Sequence, residues 1–176
     1  MEEEQPLAWA QAPGQHGAIG IAPPAPLRRT MAHPPFTDPR SFLPGANRLR
    51  GPGGHSGLLG IAYHAHGPDW AELRLPYDDK LIGDPERGVL ASGPVITLMD
   101  MATSMSIWLK KGAFTPQATL DLRVDYLRPA TPGRDVIGRG ECLRITRSIG
   151  FVRGLAHDGD PDDPVAHVAG TFMFLD

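Results

Sequence analysis

The chain of 176 residues has one cysteine, Cys142. A lone thiol excludes an intramolecular disulfide and a zinc site built of thiolates. Basic residues are not in excess: 17 Lys and Arg stand against 20 Asp and Glu, a formal net charge of −3. The cationic footprint of a nucleic-acid binder is therefore missing. No stretch of about 18 apolar residues occurs, so no membrane span is expected. The opening MEEEQPLAWAQAPG is acidic, where an export leader places positive charge before an apolar run. A cytoplasmic location is the expectation. There is no G-x-S-x-G, which argues against a Ser-His-Asp hydrolase. The Gly-rich GPGGHSG lacks the Gly-Lys-Ser/Thr ending of a phosphate loop.

What the chain has in quantity is glycine, 21, and proline, 19, unevenly spread. Residues 1–57 contain APPAPLRRTMAHPPFTDPRSFLPG with no sustained period of 2 or 3.6, which predicts an extended or disordered arm. Met31 offers a second possible start within it. GPGGHSG, residues 51–57, reads as the linker, and residues 58–176 as the folded domain.

In that domain LLGIAYHAH and WAELRLPY read as a two-stranded hairpin, and DDKLIGDPERG as a polar loop. LASGPVITLMDMATSMSIWLK then reads as one helix. Ser92 or Gly93 is expected to cap it, Pro94 suits its first turn, and Lys110, Lys111 and Gly112 stop it. Apolar side chains cover most of its circumference, as in a central helix. Four strand candidates follow: QATLDLRVDYLRP, DVIGRGECLRIT, IGFVRGLAHD and PVAHVAGTFMFL. ATPGR, TRSIG and DGDPDDP read as hairpin turns between them. The order β-β-α-β-β-β-β predicts an α+β fold, one antiparallel sheet of about six strands wrapped around one helix. Such a sheet covers one face of the helix, so the remaining apolar surface predicts self-association.

Asp100 is the anomaly, because a carboxylate in an apolar helix is costly unless something satisfies it. Thr97, Asp100 and Thr103 or Ser104 are three or four residues apart and form one polar seam. The Asp is either a hydrogen-bonded structural residue or a base or nucleophile in a cleft. Backbone N–H groups of Ser92, Gly93 and Val95 at the helix start could polarise a carbonyl oxygen. Asp100 lies some 10 Å further along the axis, which hints at a site shared between two subunits.

In the strand after the helix, strict alternation puts Thr119, Asp121, Arg123 and Asp125 on one face and Leu120, Leu122, Val124 and Tyr126 on the other. The charged row suits a solvated face, and Thr119 could alternatively orient a water. His64 and His66 share a strand face without further ligands at metal-site spacing, so no metal is expected. DGDPDDP lacks the spacing of a calcium loop, and Cys142 lacks the neighbours of a nucleophile. Arg139, Arg144, Arg147 and Arg153 surround the RITRSIGFVRG segment, either as ordinary surface residues or as a site for a phosphorylated ligand.

GVLASGPVITLMDMATSMS followed by ATLDLRVDYLRPATPG resembles the PaaI-type acyl-CoA thioesterases of the hotdog superfamily, over residues 58–175. The resemblance implies a sheet around a long helix, assembly into dimers or tetramers, and active sites at the dimer interface. It implies hydrolysis of acyl-CoA thioesters without metal or organic cofactor. It places the catalytic carboxylate at Asp100, a water-holding hydroxyl at Thr119, and a thioester-contacting N–H at Gly93. Ser92, Val95, Thr97, Ser104, Arg128, Arg147 and Ser148 complete the expected substrate-binding set. Ala91-Ser92-Gly93 stands where the family carries His-Gly-Gly. That difference motivates an alternative, a non-catalytic acyl-ligand binding protein on the same fold. A hydratase is ranked last, since no His–carboxylate pair stands between Ala91 and Asp100.

Overall fold

A computed structural model describes residues 54–175. The arm up to residue 53, including Met31, lies outside the described residues. A short helix α1 (His55–Leu58) is followed by β1 (Ala62–His66) and β2 (Trp70–Leu75). After a 3-10 turn (Asp79–Leu81) come β3 (Ile82–Asp84) and β4 (Val89–Leu90), then the long helix α2 (Ser92–Lys111). β5 (Gln117–Tyr126), β6 (Val136–Ile145), β7 (Ile149–His157) and β8 (Ala166–Phe174) complete the fold. Two expectations change at the outset. His55–Leu58 is helical rather than linker, and its Ser56 is buried. The polar loop after β2 is ordered by the 3-10 turn and the small β3–β4 hairpin. The Asp78 side chain accepts from Lys80 N at the start of that turn.

Six strands form one antiparallel sheet in the order β1-β2-β6-β7-β8-β5. This is the α+β hotdog arrangement expected from the sequence. TRSIG and DGDPDDP connect paired neighbours, β6 with β7 and β7 with β8. ATPGR does not make a hairpin: β5 pairs with β8 at the far edge, while β6 pairs with β2 and β7. Residues 127–135 are a crossing connection, and Pro129, Pro132 and Gly133 suit it to an irregular path rather than a tight turn.

α2 begins after Ala91, whose side chain makes no cap bond, and ends at Gly112 in the left-handed conformation (φ 64°) after Lys110 and Lys111. It packs over β2, β6 and β7 through Val95, Leu98, Met99, Ala102, Met105 and Ile107, all nearly fully buried. Gly140 permits this approach. A Cβ there would stand 2.5 Å from the carbonyl of Ala102 and the Cα of Thr103, so the helix backbone rests almost on the sheet.

Candidate active site

The buried face of α2 leaves a stripe uncovered: Gly93, Ile96, Thr97, Asp100 and Ser104 are exposed or half-buried. They recur at spacings of three and four, hence share one helix face. This is the polar seam of the sequence, with Ser104 as its last member. Thr103 instead points into the core, fully buried, with its hydroxyl donated to Met99 O.

β5 borders that face. Thr119 Oγ1 donates to Asp100 Oδ1 at 2.7 Å, Gln117 Nε2 donates to Ser104 O at 2.8 Å, and Tyr126 Oη donates to Ser92 O at 3.0 Å. Strict alternation had placed Thr119 with Asp121, Arg123 and Asp125, away from Leu122 and Val124. The structure corrects this. The register runs Thr119 opposite Phe172 and then Asp121 opposite Thr171, so β5 carries a bulge at Leu120. One extra residue reverses the facing of everything before it. Thr119 thus shares the helix side with Leu122 and Val124, and Leu120 is pushed outward, 53% exposed. Asp100 escapes the full cost of burial. It is half-buried, one oxygen is held by Thr119, and the other takes no hydrogen bond from a described residue.

At the helix start, Ala91 N donates to Leu81 O and Pro94 has no N–H. Val95, which the sequence reading counted as a donor, has the Ala91 carbonyl four residues back as its intrahelical acceptor. The orphan donors are therefore Ser92 and Gly93. A Cβ on Gly93 would meet nothing within 4 Å, so the helix surface is open at this residue. A cleft of about 390 Å³ adjoins this end, lined by Ser92, Val95, Tyr126, Leu127, Arg128 and Val165 among others. Burial pushes the Tyr126 phenol pKa up.

Other expected site residues are elsewhere. Arg128 lines the cleft, but its guanidinium is already committed. It binds Asp158 through Nη1 and Nη2 at 2.9 and 2.7 Å, Asp163 through Nε at 3.0 Å, and the carbonyls of Pro129 and Asp163. The Arg128 hydrogen bonds hold the Asp158 carboxyl far below the usual carboxylate range. The pair clamps the β5–β6 crossing to the β7–β8 loop, so Arg128 acts as a strut, not as a free anion receptor. Arg147 and Ser148 occupy the β6–β7 turn. Gly150, just beyond it, faces Ile107, about 22 Å along α2 from Ser92. Within one protomer they do not meet the helix start. Of the four arginines, Arg139 and Arg153 line one pocket together with Glu141, but both are already engaged: Arg139 stacks on Trp70 and pairs with Glu72, and Arg153 pairs with Glu141. A register shift at His64 removes the shared face assumed for His64 and His66.

The sequence reading missed Tyr126, Gln117 and His55 as contacts of the stripe. Tyr126 was legible from its alternation with Leu122 and Val124. Gln117 lies before the bulge, and His55 lies in a segment read as linker.

Comparison with known proteins fits this geometry. Residues 88–165, which span α2 and its flanking strands, match the model of the thioesterase superfamily. A provisionally named esterase of Halobacterium salinarum is 32% identical over 96 residues, covering 53% of this chain. The chain spans 62% of the length of that curated relative. A Pseudomonas aeruginosa protein of known structure is 43% identical, covers 69% of this chain and 90% of its own, and superposes with a TM-score of 0.63. The Escherichia coli PaaI protein from the phenylacetic acid degradation operon, 14% identical, shares the fold with a TM-score of 0.59 over 68% of this chain and 82% of its own. In the matched segment the chain is similar to the thioesterase superfamily, and its fold is the hotdog fold.

Proposed function

We propose that the protein hydrolyses acyl-CoA thioesters with Asp100 as the catalytic carboxylate, at a site completed by a second copy of the chain. The observation that carries this reading is the Thr119–Asp100 hydrogen bond, which leaves one carboxylate oxygen open on the uncovered face of α2. The orphan N–H groups of Ser92 and Gly93 suit a thioester carbonyl oxygen as its charge grows. Seven residues of helix, about 10 Å, separate them from Asp100 of the same protomer. A twofold arrangement in which one copy offers its Gly93 and the other its Asp100 brings the two halves within reach. The exposed apolar side chains Ile96, Leu127 and Leu58, and the outer edge of β5, which pairs with no described strand, favour such an association.

In the water route, Asp100 takes a proton as the water oxygen bonds to the thioester carbon. The tetrahedral adduct collapses by breaking the C–S bond, and the proton passes to the departing thiolate, giving free acid and CoA. In the covalent route, Asp100 attacks the carbon, CoA leaves, and water cleaves the resulting anhydride. Single turnover in ¹⁸O-labelled water separates the water route from a covalent route whose anhydride is opened at the Asp100 carboxyl carbon. The first labels the released acid; the second labels Asp100 and releases an acid carrying an unlabelled enzyme oxygen. Thr97, Ser104, Ser92 and the Val95 side chain line the acyl or pantetheine path. Arg147 and Ser148 could join it only from the second copy.

The deciding experiment is a panel of acyl-CoAs assayed with a thiol-detecting reagent. Turnover is expected, with Asp100→Asn reducing kcat at least about a hundredfold. No turnover with any chain length, together with saturable binding of the esters, would establish the non-catalytic ligand-binding reading instead. Light scattering showing a strict monomer would exclude the shared site.

A further inference from the structure

His55 sits on the uncovered stripe. Its Nε2 lies 3.2 Å from Thr97 Oγ1, and Thr97 Oγ1 donates to Gly93 O at 3.2 Å. Thr97 has one hydroxyl proton. With that proton spent on Gly93 O, the imidazole Nε2–H is the donor to Thr97. A chain of hydrogen bonds therefore runs from His55 through Thr97 to the Gly93 carbonyl.

α1 is fixed where this requires. Ser56, the next residue, is buried and donates to Met101 Sδ at 2.6 Å. Ile61, just after α1, is 1% exposed, and its N–H donates to Ser56 O. Thr97 and Met101 are four residues apart on α2, so His55 and Ser56 grip successive turns of it. What they grip is a weak helix start. Ala91 provides no capping side chain, and Gly93 is the residue with the greatest backbone freedom. A first turn with those two features frays more readily unless held from outside.

We propose that His55 is a positioning residue for the thioester site. Through Thr97 it holds the first turn of α2, and so aims the Gly93 N–H at the substrate oxygen. This rests on the function proposed above, because the aim matters only if that N–H meets a thioester.

The test compares wild type, His55→Ala, His55→Gln, Thr97→Val and the His55→Ala/Thr97→Val double variant on the best acyl-CoA, with Asp100→Asn alongside. His55→Ala should lower kcat about tenfold with KM within twofold, the signature of an interaction used in the transition state. His55→Gln, which retains an N–H donor, should recover most of that loss. Thr97→Val should match His55→Ala, and the double variant should be no worse than either single one, because both break the same chain. Amide exchange gives a readout independent of turnover. Protection of the Thr97 N–H should fall at least fivefold in His55→Ala while that of Leu98 to Ala102 is unchanged. If Asp100→Asn is inactive but His55→Ala keeps wild-type kcat, or if the losses multiply in the double variant, the positioning role is wrong while the thioesterase reading stands. If wild type turns over no acyl-CoA, the thioesterase reading itself fails and takes this role with it; if Asp100→Asn is fully active, the assignment of Asp100 fails.

Discussion

Thr119 reaches Asp100 across the gap between β5 and α2, donating its hydroxyl at 2.7 Å, because Leu120 is an extra residue in the strand. The bond leaves Asp100 half satisfied. One oxygen is oriented and the other is open for a water or a thioester carbon. Thr119→Val keeps the shape and the β-branch but removes the donor. It should cost about ten- to a hundredfold in kcat, the lower part of the range for a group that orients acid–base chemistry. Thr119→Ser should retain most activity. Equal kcat in Thr119→Val and wild type would mean that the contact only supports structure.

Gly93 makes a complementary case. Its Cβ position is empty in the protomer, so Gly93→Ala strains nothing internal, and alanine is the better helix former by up to about 1 kcal/mol. Thermal stability should hold or rise slightly. A substrate oxygen or a second copy approaching the N–H would meet the new methyl, so kcat/KM should drop at least about tenfold, where such contact matters. Unchanged kcat/KM would show that nothing approaches there.

The elements of the fold were legible because their periods were clean. α2 has a first-turn proline, a Lys-Lys-Gly stop and a two-residue uncertainty at most, and the polar seam drew attention to Asp100 from spacing alone. What was not legible was how strands depart from ideal alternation. The bulge at Leu120 has no marker in QATLDLRVDY: no glycine or proline stands there, and tertiary pairing with β8 alone fixes it. A period-2 reading therefore turned Thr119 to the wrong face, while the family resemblance proposed it as a site residue beside Asp100. ATPGR carried good turn chemistry, yet local sequence cannot report that β5 pairs with β8 instead of β6. His55 was hidden by its glycine neighbours, which suggested a linker although Ser56 anchors the segment on Met101.

Gly140 tests how closely helix and sheet are fitted. An added Cβ would fall 2.5 Å from backbone atoms of Ala102 and Thr103, and backbone cannot rotate aside as a side chain can. Gly140→Ala should destabilise the domain by about 1–3 kcal/mol, measured by urea unfolding with Gly93→Ala as the control. A loss below about 0.5 kcal/mol, the range of ordinary surface substitutions, would mean that α2 can lift from β6.

The Arg128–Asp158 clamp predicts a pH dependence of stability. The Asp158 side chain is 3% exposed, and it accepts from Arg128 twice and from the Thr131 N–H at 2.6 Å. The Arg128 bonds, reinforced by Thr131, depress its folded-state pKa far below the unfolded value of about 3.9. The group thus contributes stability that is fully present above that unfolded value and is lost as pH falls towards the folded pKa. Asp135 acts in the same direction, lowered chiefly by the Tyr77 N–H and also by Arg74. Asp158→Asn leaves Arg128 partly buried without its main counter-charge and should cost about 3 kcal/mol at pH 7, the order seen when a buried pair loses one partner. Wild type gives up its advantage on acidification, so the gap between the two proteins should be constant from pH 7 to 5 and shrink below about pH 4. Urea unfolding at half-unit pH steps measures it. A gap that stays the same down to pH 3 would mean that Asp158 draws its stabilisation from packing and not from its charge.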